Sequence, residues 1–104
     1  MKVIVNGREV GTKEQGCALC GSTWGEYYDV IEGQRLFFCC DLCAKGFREI
    51  VESIKERWGQ FDELIINGNY ASGRHCTARV NGLERRFYVR FNDNAELEVF
   101  REEP

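Results

Sequence analysis

Proline, histidine and methionine occur once each in 104 residues. With a single proline, no long Ser/Gly/Pro-rich run and no block of like charge, a long disordered segment is not expected. No apolar stretch approaches the roughly 18 residues needed to cross a bilayer. The first residues, Met1–Val10, turn polar too soon for the apolar region of a signal peptide. Membrane, fibrous and exported classes are therefore disfavoured, and a cytoplasmic location is expected. One histidine leaves no Ser-His-Asp grouping with a sensible neighbourhood, and no glycine-rich phosphate loop is present. Basic residues are also in the minority, 14 Lys and Arg against 17 Asp and Glu. A net charge of −3 offers no general surface for a phosphate backbone.

What the sequence does hold is cysteine, six in one domain-sized chain. Without an export signal the thiols are expected to stay reduced, so metal binding outranks disulfides. Residues 1–16 read as a hairpin: Val3 and Val5 alternate, Asn6-Gly7 suits a type I′ turn, and Arg8–Val10 return. A helix is predicted over 41–59, with Asp41 as N-cap and Gly59 at the stop. Its apolar stripe is Ala44, Phe47, Ile50, Val51, Ile54 and Trp58. Leu64–Ile66, Cys76–Val80, Glu84–Phe91 and Glu96–Arg101 read as strands, and Gly68 to Gly73 as a loop. Residues 60–66 also suit a short second helix. Phe87, Val89 and Phe91 alternate with polar neighbours, as do Leu97 and Val99 with Glu96 and Glu98.

Cys17-Ala18-Leu19-Cys20-Gly21 has the spacing of a zinc knuckle. Two intervening residues let one tight turn aim both sulfurs at one ion, and Gly21 permits the turn that follows. Cys39, Cys40 and Cys43 supply a second pair at the helix entry, where terminal N–H groups favour thiolate over thiol. Spacing leaves the choice between Cys39 and Cys40 open. Chance burial of small hydrophobic thiols seldom produces CxxC followed by CCxxC over 27 residues. A thioredoxin-type redox pair is disfavoured because a polar turn, not a helix, follows Cys20.

Residues 17–47 resemble the small treble-clef zinc fingers of the TRASH and YHS type, and the zinc-binding segment of one archaeal and eukaryotic large-subunit ribosomal protein. The shared pattern is CxxCG, a hairpin with aromatic residues and glycine (here Tyr27, Tyr28 and Gly33), then Phe38-Cys39, Cys43 and Phe47. The resemblance implies a knuckle–hairpin–helix arrangement with ligands Cys17, Cys20, Cys39 and Cys43. It also implies heavy-metal handling in some relatives and a scaffold role in others; the DNA-binding half of a metal-responsive regulator is not present here. The whole chain is further similar to an archaeal family of small proteins with a zinc motif, which implies metal binding and no activity beyond it.

Cys40, His75 and Cys76 are left over. One reading makes them a second, labile Cu or Zn site; the plainer one makes Cys76 a core thiol, sharing a face with Ala78 and Val80, and turns His75 to solvent; a third lets Cys76 or His75 replace one of the finger ligands. Arg79, Arg86, Tyr88 and Arg90 admit a nucleic-acid face with stacking, or cross-strand pairing with Glu96 and Glu98. Trp58 is expected in the core and Trp24 over the metal.

These readings combine into one α+β domain, 1–104. A treble-clef-like Cys₄ zinc lobe (17–47) shares its helix with an antiparallel β-meander (61–104), and structural Zn²⁺ replaces a core that the lobe lacks. Catalysis is not expected, because four thiolates leave no open coordination position. The expected role is a zinc-binding interaction module with a protein partner. The alternatives are a heavy-metal carrier or sensor and an RNA- or ribosome-associated protein, nucleic acid being disfavoured by the acidic charge.

Overall fold

A computed structural model describes residues 1–104. Three tight connections organise most of its strands. Asn6-Gly7, Glu32-Gly33 and Asn81-Gly82 all place both turn residues at positive φ, between 50° and 84°. That is the type I′ geometry whose twist matches paired antiparallel strands. They join β1 (Lys2–Val5) to β2 (Arg8–Val10), β3 (Tyr27–Ile31) to β4 (Gln34–Phe38), and β6 (Gly73–Val80) to β7 (Leu83–Phe91). The remaining elements are α1 (Asp41–Arg57), β5 (Glu63–Asn69) and β8 (Leu97–Glu103).

The sheet is larger than a meander. Its order is β2-β1-β5-β6-β7-β8, and β3-β4 forms a separate two-stranded ribbon. The N-terminal hairpin joins through a parallel pairing of β1 with β5, Val3 opposite Leu64 and Val5 opposite Ile66. All other pairs are antiparallel. Residues 63–66 are strand and not a second helix. Leu64 and Ile66 alternate inward there, between β1 on one side and β6 on the other. Gly68 and Gly73 also pair within the β5–β6 ladder, so the loop expected over 68–73 shrinks to residues 70–72.

Two further expectations need correction. The N-cap of α1 is Cys40, with extended backbone at φ −160° and ψ 172°, and Asp41 is the first helical residue. On β8, a register shift opposite Arg90 and Phe91 makes Glu98 the extra residue. Leu97 then pairs with Phe91, Val99 with Arg90 and Phe100 with Val89, so Val99 leaves the Leu97 face and Phe100 takes its place.

Helix α1 lays Ala44, Phe47, Ile50, Val51 and Ile54 into a core shared with Val3, Leu64, Ile66, Ala78, Phe87 and Val89. Each of the large residues contributes roughly 1.5–3 kcal/mol by leaving water. Gly46 sits at the tightest crossing: a Cβ there would stand 3.2 Å from the Phe91 ring and 3.3 Å from Leu19. The helix ends as the sequence suggests. Gly59, at φ +94°, turns its N–H back to the carbonyls of Ile54 and Lys55. Trp58 packs at the C-cap against Phe87 and Phe100, with ring centroids 5.7 and 6.3 Å away.

The cysteine-bearing lobe does not lack a core. Cys17, Ala18, Leu19, Ile31, Leu36, Phe37 and Phe38 belong to the same continuous cluster as the sheet residues. No helix of the structure is long and apolar enough to cross a membrane.

Candidate metal centre

The free edge of β4 brings the two cysteine pairs together. One edge of that strand pairs with β3, and the other binds the loop before the knuckle. Phe37 N–H donates to the Gly11 carbonyl at 2.9 Å, and Ala18 N–H donates to the Phe37 carbonyl at 3.0 Å. This seats Cys17 beside the end of β4, where the chain continues into Cys39 and then α1.

The knuckle itself is closed by Cys17 N–H to the Ser22 carbonyl and Gly21 N–H to the Cys17 carbonyl, both 2.8 Å. Leu19 and Cys20 N–H groups point at the Cys17 sulfur, 3.4 and 3.5 Å away. Glycine is required on the flanks. A Cβ on Gly16 would run into the Gly21 carbonyl, and one on Gly25 into the Cys39 carbonyl. Arg8 and Lys13 tie down the outer carbonyls, donating to Gly21 and Gly25, each at 2.6 Å.

The sulfurs of Cys17, Cys20, Cys39 and Cys43 all lie within 4.8 Å of one another. Cys39 and Cys43 are 3.4 Å apart, and Cys20 and Cys39 3.6 Å. A tetrahedron with bonds of about 2.3 Å has edges of about 3.8 Å, so the donor set has the size of a tetrathiolate site. All six cysteines are free thiols. The Cys40 sulfur lies 3.8 Å from that of Cys39 but outside the group of four.

The four thiols are coupled and do not titrate alike. The Cys20 thiol is pulled down to about 2 by hydrogen bonds from Cys17 and Cys43. Cys43 is pushed far up because its proton is shared with Cys17 and Cys20, and because of burial. Cys39 is pushed up by burial, and the sulfurs of Cys17 and Cys20 add to the effect. One thiolate is thus easy to form and the next ones are hard. A cation among the sulfurs would displace the remaining protons and let all four serve as thiolate donors. The donor set therefore fits a metal ion.

The other candidate residues are scattered. His75 and Cys76 are neighbours on β6 and so face opposite sides of the sheet. The His75 ring packs on Tyr88 and meets Glu103 at 3.0 Å, on the outer face. Cys76 is 2% exposed in the core, and burial pushes its thiol up to about 12. Cys40, His75 and Cys76 do not form a second site. Trp24 is 68% exposed; Phe38 and Phe47 pack together in the adjoining core, ring centroids 5.5 Å apart.

Arg79, Arg86, Tyr88 and Arg90 do share the outer sheet face. Their expected partners Glu96 and Glu98 do not lie opposite them. Arg79 stands between Glu63 and Glu84, Arg86 between Thr77 and Glu103, and Arg90 opposite Val99. None of the three arginines closes an ion pair. Tyr88 is already engaged: its hydroxyl donates to the Ser72 carbonyl at 2.7 Å and its ring lies under Arg101 at 4.8 Å.

Sequence reasoning passed over the supports at Arg8, Lys13, Gly16 and Gly25. The glycines carried a signal, since one stands directly before the knuckle and the other shortly after it; the two cations carried none.

No curated protein and no solved structure matches the chain. A family model described as Ta0938 matches residues 14–103, a span that contains all four clustered cysteines and every element from β3 to β8, and the chain belongs to the Ta0938 family.

Proposed function

We propose that Cys17, Cys20, Cys39 and Cys43 hold one structural Zn²⁺ ion in a treble-clef arrangement of the TRASH and YHS kind. The observation that carries this reading is the convergence of four free thiols, from a knuckle and a helix entry, within 4.8 Å. Soft thiolate donors in tetrahedral array suit zinc, and four of them saturate it. No position is left for a water to be activated, so the site is read as non-catalytic. A reducing compartment such as the cytosol keeps these donors available.

The protein then serves as a small interaction module with a protein partner. Exposed Trp24, Tyr27 and Val30, on β3 and the loop before it, support that reading, since aromatic side chains are enriched at interfaces. A labile carrier site at Cys40, His75 and Cys76 has no geometric support.

Native mass spectrometry on protein purified without added metal tests the proposal. One zinc per chain is expected, lost in Cys17→Ser and Cys43→Ser and kept in Cys76→Ser and Cys40→Ser. A metal-free chain that takes up no zinc when offered it, or a different resident metal, defeats the reading.

A further inference from the structure

A cleft of about 230 Å³ opens beside the sulfur cluster, between the knuckle, the start of α1 and the β7–β8 turn. Its apolar walls are Leu19, Leu42 and Phe91. Leu42 is 48% exposed at the mouth, although it lies in the first turn of a helix with good apolar surface elsewhere. Arg74 lines the cleft too, the one charged residue that is buried, only 5% exposed.

Arg74 stands on the inward face of β6, in line with Cys76, Ala78 and Val80. Its guanidinium forms no ion pair, and its one contact of note is the Phe91 ring, 5.7 Å from the guanidinium carbon to the centroid. No fully buried side-chain nitrogen in the structure lacks a partner. The Arg74 nitrogens donate no hydrogen bond within the protein, so they must be open, and the space they line is this cleft. A cation set among apolar side chains, with no partner in the protein and only the cleft open to it, is a ready seat for a negative charge.

We infer that the cleft binds a small organic monocarboxylate, its carboxylate on the Arg74 guanidinium and its apolar body against Leu19, Leu42 and Phe91. The planar fork of arginine matches a carboxylate with two parallel hydrogen bonds. The rest of the lining limits the ligand to one charge. Cys20 and Cys43 also line the cleft, as does Asp93, whose carboxylate accepts a hydrogen bond from Tyr70. A dianion such as phosphate meets repulsion from sulfurs and carboxylate alike. The volume sets the size: a cavity of about 150 Å³ takes benzene, so this one takes a phenyl ring or short alkyl chain with a carboxylate arm. Cys20 and Cys43 line the cleft as well as belonging to the sulfur cluster, but the carboxylate is held by Arg74, so its binding is read apart from the metal.

Titration of the full-length protein with phenylacetate, followed by two-dimensional NMR, tests the inference. Saturable shifts are expected at the Leu19 and Leu42 methyls and the Arg74 Nε–H, with a Kd of about a millimolar. Phenylacetamide, the neutral isostere, should bind about tenfold more weakly or worse, and Arg74→Met should weaken phenylacetate by a similar factor. Should Arg74→Met fail to fold, Leu42→Glu at the mouth places a negative charge by the ligand and is expected to give the same loss. Absence of saturable shifts, equal binding of acid and amide, unchanged binding in the variants, or tighter binding of inorganic phosphate each overturns the assignment. Metal content of the same sample, read by native mass spectrometry, keeps this result distinct from the zinc result.

Discussion

Cys76 is the buried thiol that stands outside the group of four sulfurs. It lies among core side chains, where the charged form is disfavoured and its proton is held up to about 12. In the unfolded chain a cysteine loses its proton near pH 8.5. Above that pH the unfolded state binds fewer protons than the folded state, so stability falls as pH rises, by up to about 1.4 kcal/mol per pH unit. The fall ends where the folded thiol itself titrates, near 12. Denaturant unfolding of the parent and of Cys76→Ala between about pH 8 and 11 should therefore give converging curves, the variant being the flatter. Parallel curves would mean the folded thiol titrates normally. Cys76 should also resist alkylation until the domain unfolds. In sequence this residue already read as a core thiol, because its alternation with Ala78 and Val80 fixes the face. Arg74 occupies the next position of the same alternation and was not legible, since a charged side chain at a strand start reads as solvated by default.

Among the elements, α1 is the one in which local and global preferences agree. Its apolar residues recur on one stripe, Gly59 stops it, and Lys55 and Arg57 suit the negative end of its dipole. Ile54 is fully buried near the C-terminal end of the stripe, far along the helix from the sulfurs. Ile54→Ala is expected to cost about 2–5 kcal/mol in denaturant unfolding while leaving one metal ion bound. Loss of metal in that variant would mean the site depends on the whole helix and not on its first turn. The hairpins were legible to differing degrees for a physical reason. Asn6-Gly7 and Asn81-Gly82 carry residues that tolerate left-handed backbone, whereas Glu32-Gly33 puts a glutamate at φ +54°. That turn was visible only through the family resemblance, and Lys55 holds its Glu32 from α1 at 2.9 Å. The bulge on β8 was invisible for another reason: Leu97 and Val99 alternate perfectly, and only the register against β7 shows that they part.

At the scale of the whole molecule, the contact that sequence reasoning could not reach is the parallel pairing of β1 with β5, whose partners are some 60 residues apart. No local pattern encodes it; it exists because Val3 and Val5 need a buried face and β5 offers a free edge beside Leu64 and Ile66. The same continuity changes what the metal is expected to do. A finger peptide gains about 10–16 kcal/mol of apparent binding energy from zinc and has no fold without it. Here Leu36, Phe37, Phe38 and Phe47 belong to the common core, so apolar packing also anchors the lobe. Removing the metal should then leave the four sulfurs crowded and in conflict over charge, and the strain should be relieved locally. The expected outcome of chelation is loss of amide protection at Leu19, Cys20 and the first turn of α1. Protection should persist at Leu64, Ile66, Phe87 and Val89 in the sheet. Hydrogen exchange with and without chelator reads both regions in one experiment. Uniform loss across the sheet would show that the ion holds the whole domain together, and unchanged protection at the knuckle would show that the sulfurs need no ion at all.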